Sequence, residues 1–358
     1  MSDNLFDRLF ELLQSPGPVN WRLAREVLGS VAGPHEVIEP RLAEEYAELT
    51  LAAELRAADT PGLTVASGDT LHPVDRATWA KENEQSFRFL FEPLAGRLLA
   101  MDAGPVSAIM HQLTPALLGM QAGTLVGLMS HDTLGQFDAG LPALDHDRRY
   151  LVVPNVEAFA ASFDLDPQQV RLWAATREVV HHAIVGVPWL RGHTVAIVEA
   201  YFDGLELDPS RLMERLGELQ DPARIEEALG GDTGLPGLLG GTPDPGRHDA
   251  IVALLAFLDG YGAWAAQRAL HGMIPDLDRI ASLASGRTSE PSPASQALAQ
   301  LAGIQLDEDH VAAAARFTDE VARRWGDEAV ARVWESAPGL PTLGELSDPV
   351  GWAARVLI

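Results

Sequence analysis

The sequence predicts a mainly α fold with minor β structure. Apolar residues recur at helical spacing through most of the chain. Asp-Pro pairs, which are typical of a helix N-cap followed by a first-turn proline, occur at Asp166, Asp208 and Asp221. Only one or two short segments have the composition of a β-strand. Together these observations favour a helical scaffold with little sheet.

Predicted helices follow one another along the chain, separated by proline and glycine. They cover residues 5–13, 20–28, 40–58, 75–100 with an interruption at Pro93, 166–185, 188–203, 249–270 and most of the chain beyond residue 293. The strand candidates are residues 62–66 and 150–153. Residues 230–246 are rich in glycine and proline and are expected to form a loop or linker.

Three glycines lie four residues apart at Gly119, Gly123 and Gly127. This spacing places them on one helix face, where the missing side chains let another helix approach closely. A helix contact is favoured over a ligand site, because no phosphate-binding loop context surrounds them.

The composition limits the classes of function. The chain has 358 residues, no cysteine, 26 basic and 51 acidic side chains, and a formal charge of −25. Disulfides and Cys-ligated metals are therefore excluded. The negative charge argues against nucleic-acid and anionic-membrane partners. The acidic N-terminus does not resemble a signal peptide, so we expect a cytoplasmic protein.

The domain organisation is predicted in three parts, which could also form one domain. Residues 1–150 make an N-terminal helical part, residues 151–285 a core, and residues 286–358 a C-terminal helical part.

The chemistry of the chain centres on the run Arg177-Glu178-Val179-Val180-His181. A zinc-peptidase helix carries His-Glu-x-x-His, in which the two imidazoles share a metal and the Glu acts as general base. Here Glu178 and His181 keep that spacing, but Arg177 stands at the first His position.

Further motifs recur along the chain in the order of a known family. They are Val19-Asn20-Trp21, Val74-Asp75-Arg76, Leu134-Gly135-Gln136-Phe137-Asp138, Val153-Pro154-Asn155, Val187-Pro188-Trp189-Leu190-Arg191, Leu258-Asp259-Gly260-Tyr261 and Leu340-Pro341-Thr342. With them, most of the chain resembles the zincin-like metallopeptidase type 2 family. The resemblance implies a zincin-like helical scaffold and zinc-dependent hydrolysis. It also implies His181 as a zinc ligand, Glu178 as the base and Asp259 at the place of a third ligand.

Arg177 is the departure from the family pattern. A guanidinium keeps its proton and has no lone pair for a metal. Charges of +2 and +1 at about 4 Å, with an effective dielectric of about 20, repel by about 8 kcal/mol. Zinc would bind only if Arg177 turned away and another group replaced it. Substitute ligands on the sequence are His182, His193, Glu199 and His271.

The alternative is an ion-pair network in which Arg177 replaces the metal and binds Glu178, Asp259 or both. The favoured hypothesis is a zincin-like hydrolase relative with an unknown peptide or small-molecule substrate and a degenerate, metal-free centre. Zinc is expected only if the site is functional. A non-enzymatic scaffold or regulatory protein is the alternative, and an anion pocket at Arg177 is a third reading. Tyr261 is either an oxyanion donor or a packed core residue, and His182 faces away from Arg177.

Overall fold

The fold was analysed in a computed structural model that describes residues 17–68, 70–100, 107–136, 141–144, 148–205, 243–286 and 292–358. The described helices are α1 (Trp21–Ala32), α2 (Pro40–Ala57), α3 (Arg76–Glu82), α4 (Arg88–Leu99), α5 (Ser107–Asp132), α6 (Val153–Ser162), α7 (Pro167–Val185), α8 (Leu190–Asp203), α9 (Pro245–Leu270), α10 (Leu277–Gly286), α11 (Pro293–Ala302), α12 (Glu308–Trp325), α13 (Asp327–Ala331) and α14 (Pro349–Val356). Three 3₁₀ turns, Arg332–Trp334, Ala337–Gly339 and Glu345–Ser347, connect the last helices. The predicted mainly α fold is confirmed.

The strands are β1 (Leu71–Val74) and β2 (Arg149–Val152). They pair in parallel, with Leu71 opposite Arg149 and Val74 opposite Val152. Gly135 forms an isolated antiparallel bridge with Leu151 on β2. The two strands and this bridge are the only sheet pairing among the described residues.

Several predicted boundaries agree closely with the structure. The predicted 166–185 helix is α7, with Asp166 as its N-cap and Gly186 at its end. The helix predicted from Asn20 is α1, and the Asn20 Oδ1 accepts the Leu23 amide at 3.0 Å. These helix starts could be predicted from the sequence because an N-cap residue bonds to backbone amides only two or three residues further along the chain.

Other boundaries were wrong. Residues 62–66 do not form a strand; β1 lies at Leu71–Val74 instead, because pairing with β2 selects the strand. The predicted 75–100 helix breaks between α3 and α4 at residues 83–87, whereas Pro93 lies inside α4. One lost helical hydrogen bond at Pro93 is tolerated because α4 buries much of its apolar surface.

Two further helices are longer than predicted, and some predictions lie outside the described residues. Helix α1 continues past Gly29 to Ala32, and α9 begins at Pro245 with Asp244 as its N-cap. The helix over residues 5–13, the starts at Asp208 and Asp221, and most of the 230–246 loop fall outside the described residues.

The glycine stripe packs α5 against α1, as predicted. A Cβ on Gly119 would lie 2.4 Å from the Asn20 carbonyl oxygen, and one on Gly123 would lie 2.3 Å from that of Ala24. Only glycine allows these backbones to approach so closely.

The core consists of two apolar clusters on either side of the sheet. The motif cluster contains the inner side chains of α7, with Leu71 and Leu151 from the strands. The α5 cluster contains the inner side chains of α5, with Val74, Tyr150 and Val152. Because side chains alternate along a strand, neighbouring positions of β2 face opposite clusters. The sheet therefore anchors the motif helix α7 to the rest of the protein.

Two stretches, His111–Asp132 and Pro245–Leu270, are long and apolar enough to cross a membrane by length and composition alone. In their most apolar windows, 67% and 78% of the residues are buried within the protein. Such burial is typical of core helices, so their hydropathy is weak evidence for a membrane span.

Candidate functional site

The motif residues lie on α7, and Asp259 lies on the neighbouring helix α9. Arg177 and His181 are four residues apart on α7 and share one face. This face contacts α9, which brings Asp259 within reach of both side chains. The structure therefore brings together Arg177, His181 and Asp259.

Arg177 and Asp259 form an ion pair. The Arg177 Nη2 donates a hydrogen bond to the Asp259 Oδ1, and the two side chains are 14% and 18% exposed. The guanidinium also lies 5.9 Å from the ring centroid of Trp173. Of the two partners that the sequence left open for Arg177, the structure places Asp259 in hydrogen-bonding contact.

His181 is held as a neutral imidazole. Its Nδ1 lies 3.0 Å from the Arg177 carbonyl oxygen, which assigns the proton to Nδ1 and turns Nε2 towards Asp259. The Nε2–Oδ1 distance is 3.7 Å. Burial and then the positive charge of Arg177 lower the pKa of His181 to about 4, while Asp259 opposes the shift. His181 is therefore uncharged at neutral pH.

Gly262 on α9 makes room for this imidazole. A Cβ at Gly262 would lie 2.3 Å from the His181 Nε2. Any larger residue would push the ring away from Asp259, so Gly262 sets the contact between α7 and α9 at the centre.

Glu178 is buried beside the sheet. Its side chain is 3% exposed, and its Oε2 accepts the Gln136 amide at 2.8 Å. Burial raises the pKa of Glu178 to about 8, although the Gln136 amide and the Arg177 charge oppose the shift. Glu178 is therefore mostly protonated at neutral pH, whereas a general base must be ionised to accept a proton.

The backbone of Gly135 and Gln136 covers the Glu178 carboxyl group. A Cβ on Gly135 would lie 2.5 Å from the Glu178 Oε2. The same segment is fixed to β2 through the Gly135–Leu151 bridge and a hydrogen bond from the Val152 amide to the Leu134 carbonyl at 2.9 Å. A protein backbone thus occupies the position next to the carboxyl group.

Arg149 on β2 is fully buried, and its positive charge, like that of Arg177, lowers the pKa of Glu178 against the effect of burial. Its Nη1 donates to the Glu54 Oε1 at 2.8 Å and its Nη2 to the Ala66 carbonyl at 2.7 Å. Its Nε lies 3.4 Å from the Nδ1 of His182. His182 therefore belongs to the Arg149 network and lies apart from the Arg177–Asp259 pair.

Tyr261 is packed in the core. Its hydroxyl donates to the Pro61 carbonyl oxygen at 2.5 Å, and its ring lies 4.8 Å from that of Trp334. Burial raises the pKa of Tyr261 well above its ordinary value. Because it is two residues after Asp259 on a helix, its side chain points to a different side of α9.

The residues at this centre do not fit a zinc site. A catalytic zinc needs about three protein ligands and an open position. Among the residues that the structure describes, no three His, Asp or Glu side chains converge on a metal position. The Arg177 guanidinium, which cannot ligate, occupies the place next to Asp259.

The substitute ligands do not complete the site. Glu199 and His271 are exposed, and the His193 ring meets the Trp189 ring edge-on, with 5.8 Å between ring centroids. A small opening beside His181 and Asp259 measures about 20 Å³, room for about one water molecule. Its other walls are apolar: Leu141, Pro142, Ile184, Val185, Leu255 and Leu258.

Three contributors to the centre were not recognised as such from the sequence. Gln136 acts through its backbone amide, which no side-chain pattern can reveal. Gly262 acts through a missing side chain, and Arg149 reaches the region from a strand. The one sequence signal that could have pointed to this segment was the motif Leu134-Gly135-Gln136-Phe137-Asp138, which contains Gly135 and Gln136.

The fold and this centre define a mainly α protein with a partly buried ion pair between two helices, and comparison with known proteins assigns its family. The profile of the zincin-like metallopeptidase family matches residues 19–353. The chain therefore belongs to the zincin-like metallopeptidase family.

A solved structure shares the fold. It is a crystal structure from Chloroflexus aurantiacus of a proposed hydrolase with a novel fold, and it is 22% identical to this chain. The match has a TM-score of 0.67 and covers 94% of this chain and 98% of the other. Comparison with curated proteins gives no match.

Proposed function

We propose that this chain is a zincin-like family member with a degenerate, metal-free centre, and that it acts as a scaffold or regulatory protein without hydrolysing a substrate. The observation that carries this proposal is the Arg177–Asp259 ion pair. The Arg177 guanidinium neutralises the Asp259 carboxylate, which a metal would otherwise bind. Its fixed positive charge would also repel a zinc ion placed beside it.

The state of Glu178 supports the same proposal. A zinc-peptidase base must be ionised and must reach a metal-bound water. Glu178 is buried, has a pKa raised to about 8, and is covered by the Gln136 backbone. This carboxyl group is arranged for packing rather than for proton transfer to solvent.

A hydrolase acting on a peptide or small molecule is the second candidate, favoured by the family itself. The anion-pocket alternative is weaker, because the Arg177 guanidinium is already bonded to Asp259. The charge of −25 supports partners other than nucleic acid or an anionic membrane surface. The cytoplasm is proposed as the compartment on the separate ground of the acidic N-terminal sequence.

Arg177→His is the test, since it restores His-Glu-x-x-His and frees Asp259. We expect the wild-type protein, purified without chelators, to contain little zinc by elemental mass spectrometry. The variant should gain about one zinc per chain, held by the new His, His181 and Asp259. Arg177→Gln is the matched control, because it removes the cation without supplying a ligand.

Two results would contradict the proposal. One is stoichiometric zinc in the wild-type protein that is lost in His181→Ala. The other is peptide hydrolysis by the wild-type protein that a chelator abolishes. If Arg177→His folds but binds no more zinc than Arg177→Gln, Asp259 does not occupy a ligand position.

A further inference from the structure

Three of the sequence motifs meet in one hydrogen-bond network beside the covered Glu178 carboxyl group. Arg76, Asn155 and the pair Gly135-Gln136 each belong to a different motif of the sequence. Asn155 is 5% exposed and lies in the first turn of α6, directly after β2. Its side-chain amide connects Arg76 to the chain that leads into Gly135.

The orientation of the Asn155 amide is fixed by its partners. The Arg76 Nε donates to the Asn155 Oδ1 at 2.7 Å, and a guanidinium can only donate, so the atom facing it must be the oxygen. The Asn155 Nδ2 then donates to the carbonyl oxygens of Ser130 at 2.9 Å and Thr133 at 2.6 Å. Both N–H groups of the amide are thus used where α5 ends.

The covering segment begins at the same place. The last carbonyls of a helix have no partner within the helix, and a buried carbonyl without a donor is costly. The Thr133 hydroxyl donates to the Gly135 carbonyl, which closes the turn that leads to Gln136. The Gln136 amide donates to the Glu178 Oε2 at 2.8 Å. A path of hydrogen bonds therefore runs from Asn155 to the amide that covers Glu178.

Two neighbouring contacts hold the ends of this path. The Val152 amide at the end of β2 donates to the Leu134 carbonyl at 2.9 Å, within the covering segment. On the other side, the Arg76 Nη1 donates to the Glu36 Oε1 at 2.7 Å, which holds the guanidinium against Asn155. Asn155 is the buried residue that joins these two anchors.

The structure assigns to Asn155 the role of a positioning residue, whose two donors keep the Gly135-Gln136 backbone over the Glu178 carboxyl group. This inference deepens the proposed function and rests on it in one respect, namely that Glu178 is a covered carboxyl group and not a working base. Zinc content tests the proposed function, whereas the Gln136 amide reports on the cover itself. The two can therefore fail separately.

Hydrogen exchange of the Gln136 amide, followed by NMR in the full-length protein, tests this role. In Asn155→Asp the carboxylate still accepts from Arg76 but has no donor for the two carbonyls at the end of α5. We expect the Gln136 amide to exchange at least about tenfold faster than in wild type, because the segment opens more readily when its carbonyls lose their donors.

Asn20→Asp is the matched control. Asn20 is also buried and also contacts α5, but it lies at the opposite end of that helix, and its capping oxygen is retained in Asp. The Tyr261 amide inside α9 reports on opening of the whole protein. We expect the exchange rate of Gln136 relative to Tyr261 to rise in Asn155→Asp and to stay at the wild-type value in Asn20→Asp.

Thr133→Val is a second variant, which keeps the test available if Asn155→Asp does not fold. It removes the hydroxyl that bonds to the Gly135 carbonyl and keeps the size of the side chain, so it should also speed exchange at Gln136. Three outcomes would overturn the proposal: unchanged protection of Gln136, equal acceleration of Gln136 and Tyr261, or acceleration confined to the Thr133 amide. The last result would make Asn155 a cap of α5 only.

Discussion

At the scale of single residues, Arg177 and Asp259 form an ion pair at the place where the family resemblance predicts metal ligands. Zinc and a guanidinium both neutralise a carboxylate, but the guanidinium does so with a covalently attached charge and a fixed hydrogen bond. The imidazole of His181 then remains neutral beside the pair, because burial and the Arg177 charge both lower its pKa. Arg177 thus places a fixed cation beside Asp259 and next to a neutral His181.

Glu178 gives a prediction about pH. Its pKa is raised from 4.5 to about 8, so the folded state holds a proton that the unfolded state releases between these values. The free energy of unfolding should therefore fall as pH rises from about 5 to about 8, by a few kcal/mol from this group. Glu178→Gln cannot ionise, and its stability relative to wild type should increase over the same interval in urea unfolding experiments.

The exposed Glu48→Gln on α2 is the control for the exchange of glutamate for glutamine itself. His181 acts in the opposite direction: its pKa is lowered from 6.5 to about 4, so its contribution is lost as pH falls through that range. It is present in both proteins and cancels in the comparison. Parallel curves for Glu178→Gln and wild type would show that Glu178 does not titrate in this range.

At the scale of helices and strands, the contact between α1 and α5 depends on glycines in only one of the two partners. A Cβ on Gly123 of α5 would collide with the Ala24 carbonyl oxygen. Gly29 on α1 is exposed, and a Cβ there would meet nothing within 4 Å. The contact between the helices therefore requires glycine at position 123, whereas no neighbouring atom requires it at position 29.

Substitution by alanine should separate these two roles. Gly123→Ala should destabilise the protein by about 1–3 kcal/mol, because the helices must move apart. Gly29→Ala should stabilise it by about 0.5–1 kcal/mol through helix propensity alone. Thermal or urea unfolding of both variants measures the difference. A stabilising Gly123→Ala would contradict the close contact.

Secondary structure was predictable where the signal was local. Asp166 and Asn20 predict the starts of α7 and α1 because each side chain accepts a hydrogen bond from a backbone amide in the first turn of its helix. The strand at Leu71–Val74 was missed because its pairing partner β2 is far away in the sequence. The break at residues 83–87 was missed because Pro93 gave a stronger local signal for a helix end.

At the scale of the whole molecule, both apolar clusters draw on all three predicted parts of the chain. The motif cluster joins Tyr46, Phe257 and Trp352, and the α5 cluster joins Phe91, Phe202 and Leu298. The division into residues 1–150, 151–285 and 286–358 stays a prediction. The alternative, in which the three parts form one domain, can be tested by asking whether the two apolar clusters unfold together.

We expect the two clusters to unfold together, because each of them needs side chains from every part. With fluorotryptophan incorporated, NMR can follow Trp79 in the α5 cluster and Trp352 in the motif cluster in one urea titration. Trp79→Phe and Trp352→Phe assign the two signals. Coincident midpoints are the expected result, and well-separated midpoints would indicate independent domains.

The sequence by itself determined the helical class, the principal helix starts, the glycine contact and the family, because each depends on local spacing or on motifs that stand in a fixed order. It also identified Arg177 as the departure from the metal-binding pattern. Only the tertiary structure decided that Arg177 bonds to Asp259, that Gln136 covers Glu178 and that Gly262 admits the His181 ring. These contacts join residues far apart in the chain, and distance in space is set by packing rather than by sequence spacing.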